Sequence, residues 1–179
     1  MLRPIMPRDH IRGPVTAPYT LVEYGDYECA HCGEAYFVIK EVQRQMEGEL
    51  CFAFRNFPLV MVHPHAEHAA EAAEAAGVQG FFWEMHDALF ENRCALDKDD
   101  IVLRAAALGL DAGRLISEVQ SGMHAQRVLE DFQSGARTGI ECLPALFVNG
   151  VRFEGPLREN ALIAALMSNP YRERASLAL

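Results

Sequence analysis

Cys29-Ala30-His31-Cys32 is the segment with chemistry in it. Two cysteines three positions apart at the opening of a helix are close enough to bridge. The unpaired backbone N–H groups and the positive dipole end at a helix N-terminus favour a thiolate over a thiol. The thiolate is the form that attacks disulfides. His31, when protonated, adds positive charge beside the pair. The first thiol is expected to be the more exposed and therefore the nucleophile, with Cys32 resolving the mixed disulfide. Spacing alone is a weak signal, because it also suits metal ligands and inert cysteines. Placement strengthens the thiol reading: the pair directly follows a buried-looking strand and opens an amphipathic helix.

The elements that must hold this pair can be read from local pattern. Thr20 to Tyr24 (TLVEY) is a short apolar strand with one acid, Glu23, in its middle. From Cys29 to Glu47 the residues Ala35, Ile39, Val42 and Met46 draw one apolar stripe, and Gly48 ends the helix. Leu50 to Phe57 (LCFAFRNF) reads as a strand covered on both faces and stopped by Pro58. Strand, helix and strand at this spacing make a parallel βαβ unit. A helical block follows: His65 to Ala76, Gly80 to Asn92, a helix capped by Asp97, another opened by Asp111, and a last one from Met123. Strands resume at Ala145, where ALFV, Asn149-Gly150 and VRF form a hairpin signal. A final helix runs from Leu157 to about Ser168. The order βαβ, helical block, ββα predicts a small mixed sheet with the helices inserted into it.

Composition narrows the functions available. The chain has 179 residues, 16 basic against 25 acidic side chains, and a net charge of −9. That balance excludes nucleic acid and an anionic membrane as main partners, since phosphate binding needs a basic surface. No apolar run approaches the ~18 residues of a spanning helix. Met1 to Pro18 has no apolar signal-peptide core and holds four of the nine prolines, so it reads as an irregular lead-in and the chain as cytoplasmic. In a reducing compartment, five cysteines argue for thiol chemistry or metal binding rather than a disulfide framework.

These motifs together resemble the thioredoxin superfamily, and within it the DsbA-like thiol–disulfide oxidoreductases, which carry a helical domain inserted into a thioredoxin fold. TLVEYGDYECAHC resembles the strand leading into that family's CPHC motif. FRNFPL resembles the second strand and its bend, HPHAEHAAEAAEAAGVQGFFWEMHDALFEN the first inserted helices, and CLPALFVNGVRFEG the cis-proline loop and hairpin. The resemblance implies an α/β thioredoxin-like fold, with residues 19–61 and 136–169 as a discontinuous core. Residues 62–135 would be the helical insert, 1–18 an irregular segment and 170–179 a tail. It makes Cys29 the attacking and Cys32 the resolving cysteine, Pro144 the cis-proline that helps bind extended substrate, and Glu23 a buried acid relaying protons to the resolving thiol. A carboxylate in an apolar strand has its charged form disfavoured, which suits proton transfer.

Three positions depart from the family pattern. Ala30 replaces the commoner proline, freeing an N–H and relaxing the motif, so the redox poise of CPHC members does not transfer. Leu143 stands where many relatives have Thr or Val and narrows the groove. Cys142 is placed to act as a third redox thiol on Cys29 or on a substrate, with a small apolar filler as the plainer alternative.

The expected activity is exchange of disulfides with a protein or small-thiol substrate, with no resident cofactor and with glutathione or another thiol as possible co-substrate. Rival readings are a glutathione-dependent isomerase or transferase on the same fold, and a redox-sensing binding module without turnover. His63, His65 and His68 with Glu67 and Glu71 have metal-ligand residue types but no clear full ligand set, so no metal is assigned. Trp83, Phe81 and Phe82 read as helix packing, Cys51 as an inert buried thiol and Cys94 as an exposed one.

Overall fold

The computed structural model describes residues 2–168, so the expected tail, 170–179, lies outside the described residues. Strands β1 (His10–Arg12), β2 (Tyr19–Gly25), β3 (Leu50–Asn56), β4 (Ala145–Val148) and β5 (Val151–Arg152) make one sheet in the order β1-β3-β2-β4-β5. β2 and β3 are parallel, from Tyr19 opposite Leu50 to Gly25 opposite Asn56. β4 lies antiparallel to β2, with Leu146 opposite Glu23. Between β2 and β3 runs helix α1 (Ala30–Gln45). Helices α2 (Ala66–Val78), α3 (Phe82–Glu91), α4 (Lys98–Ala107), α5 (Ala112–Gln120) and α6 (Ala125–Ala136) follow one another between β3 and β4, and α7 (Glu159–Met167) comes last.

Local chemistry accounts for most of these elements. The α1 stripe of Ala35, Ile39, Val42 and Met46 is buried, and each large apolar side chain taken from water contributes roughly 1.5–3 kcal/mol. Asp97 and Asp111 cap α4 and α5 by accepting from the N–H groups of Asp100 and Arg114. Asn149 and Gly150 sit at φ of 49° and 85°, the left-handed pair that a tight hairpin turn requires. In α2 the alanines from Ala66 to Ala76 are buried because α3, α5 and α6 all pack on it. Small side chains allow that close approach.

One expectation needs correction. The opening segment is not wholly irregular: His10–Arg12 pairs antiparallel with Phe52–Phe54 and closes the edge of the sheet. Three residues are too few to show an alternating pattern. What secures them is a polar lock that no local pattern announces. Arg55 on β3 has no exposed surface, donates to both carboxylate oxygens of Asp9, and reaches the carbonyls of Arg3 and Pro4. The Trp83 indole N–H donates to the Ile11 carbonyl, and Phe82 is buried, so this aromatic run packs the helical block onto β1.

Candidate active site

β2 delivers the chain to the site and α1 begins there. Gly25 ends the strand beside Asn56, and the turn Asp26-Tyr27-Glu28 lifts Cys29 into the N-cap position of α1. The Cys29 N–H donates to the Asp26 carbonyl (3.2 Å), and the Cys29 carbonyl accepts from Gly33 (3.1 Å). Tyr27 anchors the turn in the core: its hydroxyl meets His86 Nδ1 at 3.1 Å, and its ring packs on Phe54 and Phe90. Burial holds the His86 imidazolium far below its ordinary value, so this ring is neutral. The surroundings of the Tyr27 ring are therefore aromatic, and the His86 ring among them is uncharged.

Cys29 and Cys32 are both free thiols, 7% and 0% exposed. The first is thus the only member of the pair with surface to offer a substrate. The Cys32 thiol donates to the Cys29 sulfur and is the largest influence lowering its pKa from 9.0 to about 6. Burial opposes that shift. The sulfur makes no capping hydrogen bond of ordinary geometry. The N–H groups of Cys32 and His31 nevertheless lie close enough to stabilise its charge, while the Asp26 carboxylate opposes it. The same sulfur–sulfur hydrogen bond, followed by burial, pushes Cys32 far above the thiol range. At neutral pH the pair holds one proton, and it sits on Cys32.

Glu23 is 1% exposed, and its Oε1 has no hydrogen-bond partner among the described residues. Burial raises its pKa from 4.5 to about 8, with a further contribution from the Cys29 charge. It also raises Cys32 through its own charge, so the acid and both thiols feel one another. His31 enters through its backbone. Its imidazole is exposed and lies 3.6 Å from Glu34 Oε2.

On the facing side, Leu143 is buried and the Leu143–Pro144 peptide bond is cis. Leu143 and Pro144 join His31, Glu34, Phe153 and Leu157 around an open groove of about 300 Å³. Its walls are apolar on the hairpin side and charged on the helix side. Leu143 lines this groove as one wall. Cys142 stands apart from that lining. It is exposed, with Arg152 Nη2 at 4.0 Å from its sulfur. The apolar-filler reading of Cys142 is therefore corrected: a filler has to be enclosed, and this side chain is not. Cys51 is buried and Cys94 exposed.

Several residues around the motif escaped the sequence reading. Asp26, three positions before Cys29, is buried and accepts from the N–H groups of Glu28 and Leu59 and from His63 Nδ1. Glu28 pairs with His65 in the same manner. His63 and His65 are thus engaged by carboxylates from the turn that leads into Cys29. Arg93 lays its stem on Gly33, where a Cβ would meet its Cδ at 2.8 Å. Val60, Met61 and Val62 form an exposed apolar rim, with Met61 92% exposed, on the loop that Asp26 ties down. Acids and histidines near a CxxC are visible in any sequence; which of them meet is not.

Known proteins place this arrangement in a family. A sequence description of the thioredoxin family matches residues 6–167. A stretch of the Na(+)/H(+) antiporter NhaA 1 of Mycolicibacterium vanbaalenii is 41% identical over 169 residues, covering 93% of this chain and 27% of the antiporter. The chain thus spans about a quarter of the length of the curated relatives it matches. A thioredoxin-like oxidoreductase from Silicibacter pomeroyi superimposes with a TM-score of 0.81 at 21% identity, over 95% of this chain and 94% of its own. The alpha-DsbA1 of Wolbachia pipientis does so with a TM-score of 0.80 at 18% identity, over 97% and 96%. Among the described residues no helix is long and apolar enough to cross a membrane. The expected α/β thioredoxin-like fold with helices set between its strands is the one observed, and the chain belongs to the thioredoxin family.

Proposed function

We propose that the chain is a thiol–disulfide oxidoreductase working through Cys29 and Cys32. The observation that carries this reading is the unequal pair: Cys29, which keeps a little exposed surface and favours the thiolate, beside Cys32, which has none and keeps its proton. The Cys29 thiolate attacks a substrate disulfide, forming a mixed disulfide and expelling a substrate thiolate. Loss of the Cys29 charge removes one of the two influences that raise Glu23, so its carboxyl then ionises more readily. The carboxylate takes the Cys32 proton, and the Cys32 sulfur attacks Cys29, releasing the second substrate thiol. The net result is a reduced substrate and a Cys29–Cys32 disulfide. Run backwards, the same steps oxidise a dithiol, and direction follows relative potentials.

The groove around Leu143 and Pro144 suits an extended polypeptide with an apolar side chain near its cysteine. The substrates are disulfide- or dithiol-bearing proteins or small thiols. Glutathione or another thiol restores the pair, and no resident cofactor is needed. A cytoplasmic location would draw the cycle toward reduction.

The test is reduction of insulin disulfides by the dithiol form. Chain precipitation should accompany loss of two protein thiols per bond reduced. Absence of both, in folded protein, would sink the enzyme reading and leave a binding module.

Glu23 supplies a pH signature. Its pKa is raised from 4.5 to about 8, so the folded chain holds that proton more tightly than the unfolded one. The stabilisation is complete below the ordinary carboxyl value, erodes as pH rises, and is gone above the folded value. Glu23→Gln is expected to abolish this decline, on the order of 4 kcal/mol across the window, and to prolong the mixed disulfide. Urea unfolding of the reduced proteins at several pH values checks it. Parallel stability profiles for the two proteins would remove Glu23 from the relay.

A further inference from the structure

Asp26 poses a problem for the site. Its carboxylate is closed to water, and its charge opposes ionisation of the sulfur that the chemistry needs as thiolate. It earns its place mechanically, since Oδ1 holds Glu28 N at 2.8 Å and Oδ2 holds Leu59 N at 2.8 Å. Together with its own carbonyl on Cys29 N, these bonds fix the turn and pin the rim loop to it. Backbone donors alone leave the negative charge uncompensated next to the nucleophile.

The compensation comes from the start of the helical block. His63 Nδ1 lies 2.8 Å from Asp26 Oδ2, and its side chain is 24% exposed, so it can exchange a proton with water. We infer that His63, acting through Asp26, is a positioning residue that sets how much thiolate Cys29 carries. Its imidazolium neutralises the buried carboxylate, so that the turn is held rigid without repelling the charged sulfur. This rests on Cys29 being the nucleophile, as proposed above.

The surroundings favour the charged ring. The titratable groups facing His63 are Asp26, Glu28 and Cys29, and all three favour its proton. Burial pulls the other way, yet the net effect holds His63 above its ordinary value. Cys29 faces Cys32, Asp26 and Glu23. Glu28 is occupied by His65, whose backbone N–H and Nδ1 meet its two oxygens at 2.7 and 2.9 Å. Two carboxylates from the turn therefore meet two imidazoles from the entrance of α2, in register at a spacing of two residues. A coupling between His63 and Cys29 is reciprocal: the imidazolium favours the thiolate, and the thiolate favours the imidazolium.

The experiment is the ultraviolet titration of the Cys29 thiolate in reduced protein whose fold is verified by circular dichroism. His63→Asn keeps an N–H for Asp26 and removes the charge. It is expected to raise the thiolate midpoint by about one pH unit, roughly tenfold less thiolate on the acid side. His63→Lys, with a permanent charge, should stay near wild type. A midpoint unmoved in folded His63→Asn, or moved equally in His63→Lys, overturns the inference. Wild-type protein gives an independent reading by NMR: the His63 midpoint should fall when the Cys29–Cys32 disulfide forms, and equal midpoints in both redox states would also overturn it. These titrations do not require turnover. Shifted midpoints without insulin reduction would remove the enzyme reading alone, and insulin reduction with unshifted midpoints would remove this inference alone.

Discussion

Cys29→Ser is expected to lose disulfide exchange by roughly 10³-fold or more, because a serine alcohol does not ionise where a thiolate does. The remaining cysteine of the motif cannot substitute. Cys32 is fully buried, and burial still raises its pKa above the ordinary thiol value once the neighbouring sulfur is gone. Cys32→Ala should behave differently: the first attack survives, resolution does not, and mixed disulfides through Cys29 accumulate. That variant should also react more slowly below neutral pH, since the Cys32 thiol is the largest influence holding Cys29 down. Rates with insulin and a chromogenic disulfide, and non-reducing gels of adducts captured in cells, read both outcomes. A Cys29→Ser protein within tenfold of wild type would move the working sulfur elsewhere, and the exposed Cys142 and Cys94 would be next to examine.

Arg55→Met is expected to cost about 3–5 kcal/mol of stability, because it breaks a buried ion pair from one side. The loss is large against the ~5–15 kcal/mol that holds a typical domain together. Arg55 makes hydrogen bonds to both Asp9 oxygens at 3.1 and 2.8 Å, to the Arg3 and Pro4 carbonyls at 2.9 Å each, and to the Tyr24 hydroxyl at 2.9 Å. Methionine fills the stem and satisfies none of these. Asp9 keeps Arg3 Nη2 at 2.7 Å, so its charge is left partly rather than wholly unpaired. Burial alone would raise Asp9, and the Arg55 hydrogen bond is the foremost influence that lowers it instead. The stability it brings is therefore present above the ordinary carboxyl value and lost as pH falls through the lowered one. Urea unfolding of single and double variants with Asp9→Ala checks the argument. The double variant should cost less than the two single losses added together, and a single-variant loss under about 1 kcal/mol would refute the lock.

The sequence determined what short-range physics can determine. The Cys29–Cys32 spacing, the α1 stripe, the Asp97 and Asp111 caps and the Asn149–Gly150 turn each depend on residues a few positions apart. Propensity, capping and periodicity act over that distance. So did the acid in the middle of β2, although only the sheet shows Glu23 sealed between neighbours, one oxygen having no hydrogen-bond partner among the described residues. Tertiary structure decided the rest. Strand β1 exists because β3 offers an edge and Arg55 reaches Asp9, 46 positions away in the chain. Cys142 is exposed because its loop leaves the groove wall to Leu143 and Pro144. Asp26 and His63 meet across 37 positions because Asp26 caps the end of β2 while Leu59 brings the following loop back to the same carboxylate. A charge acts through space, and only the folded chain says which charges share that space.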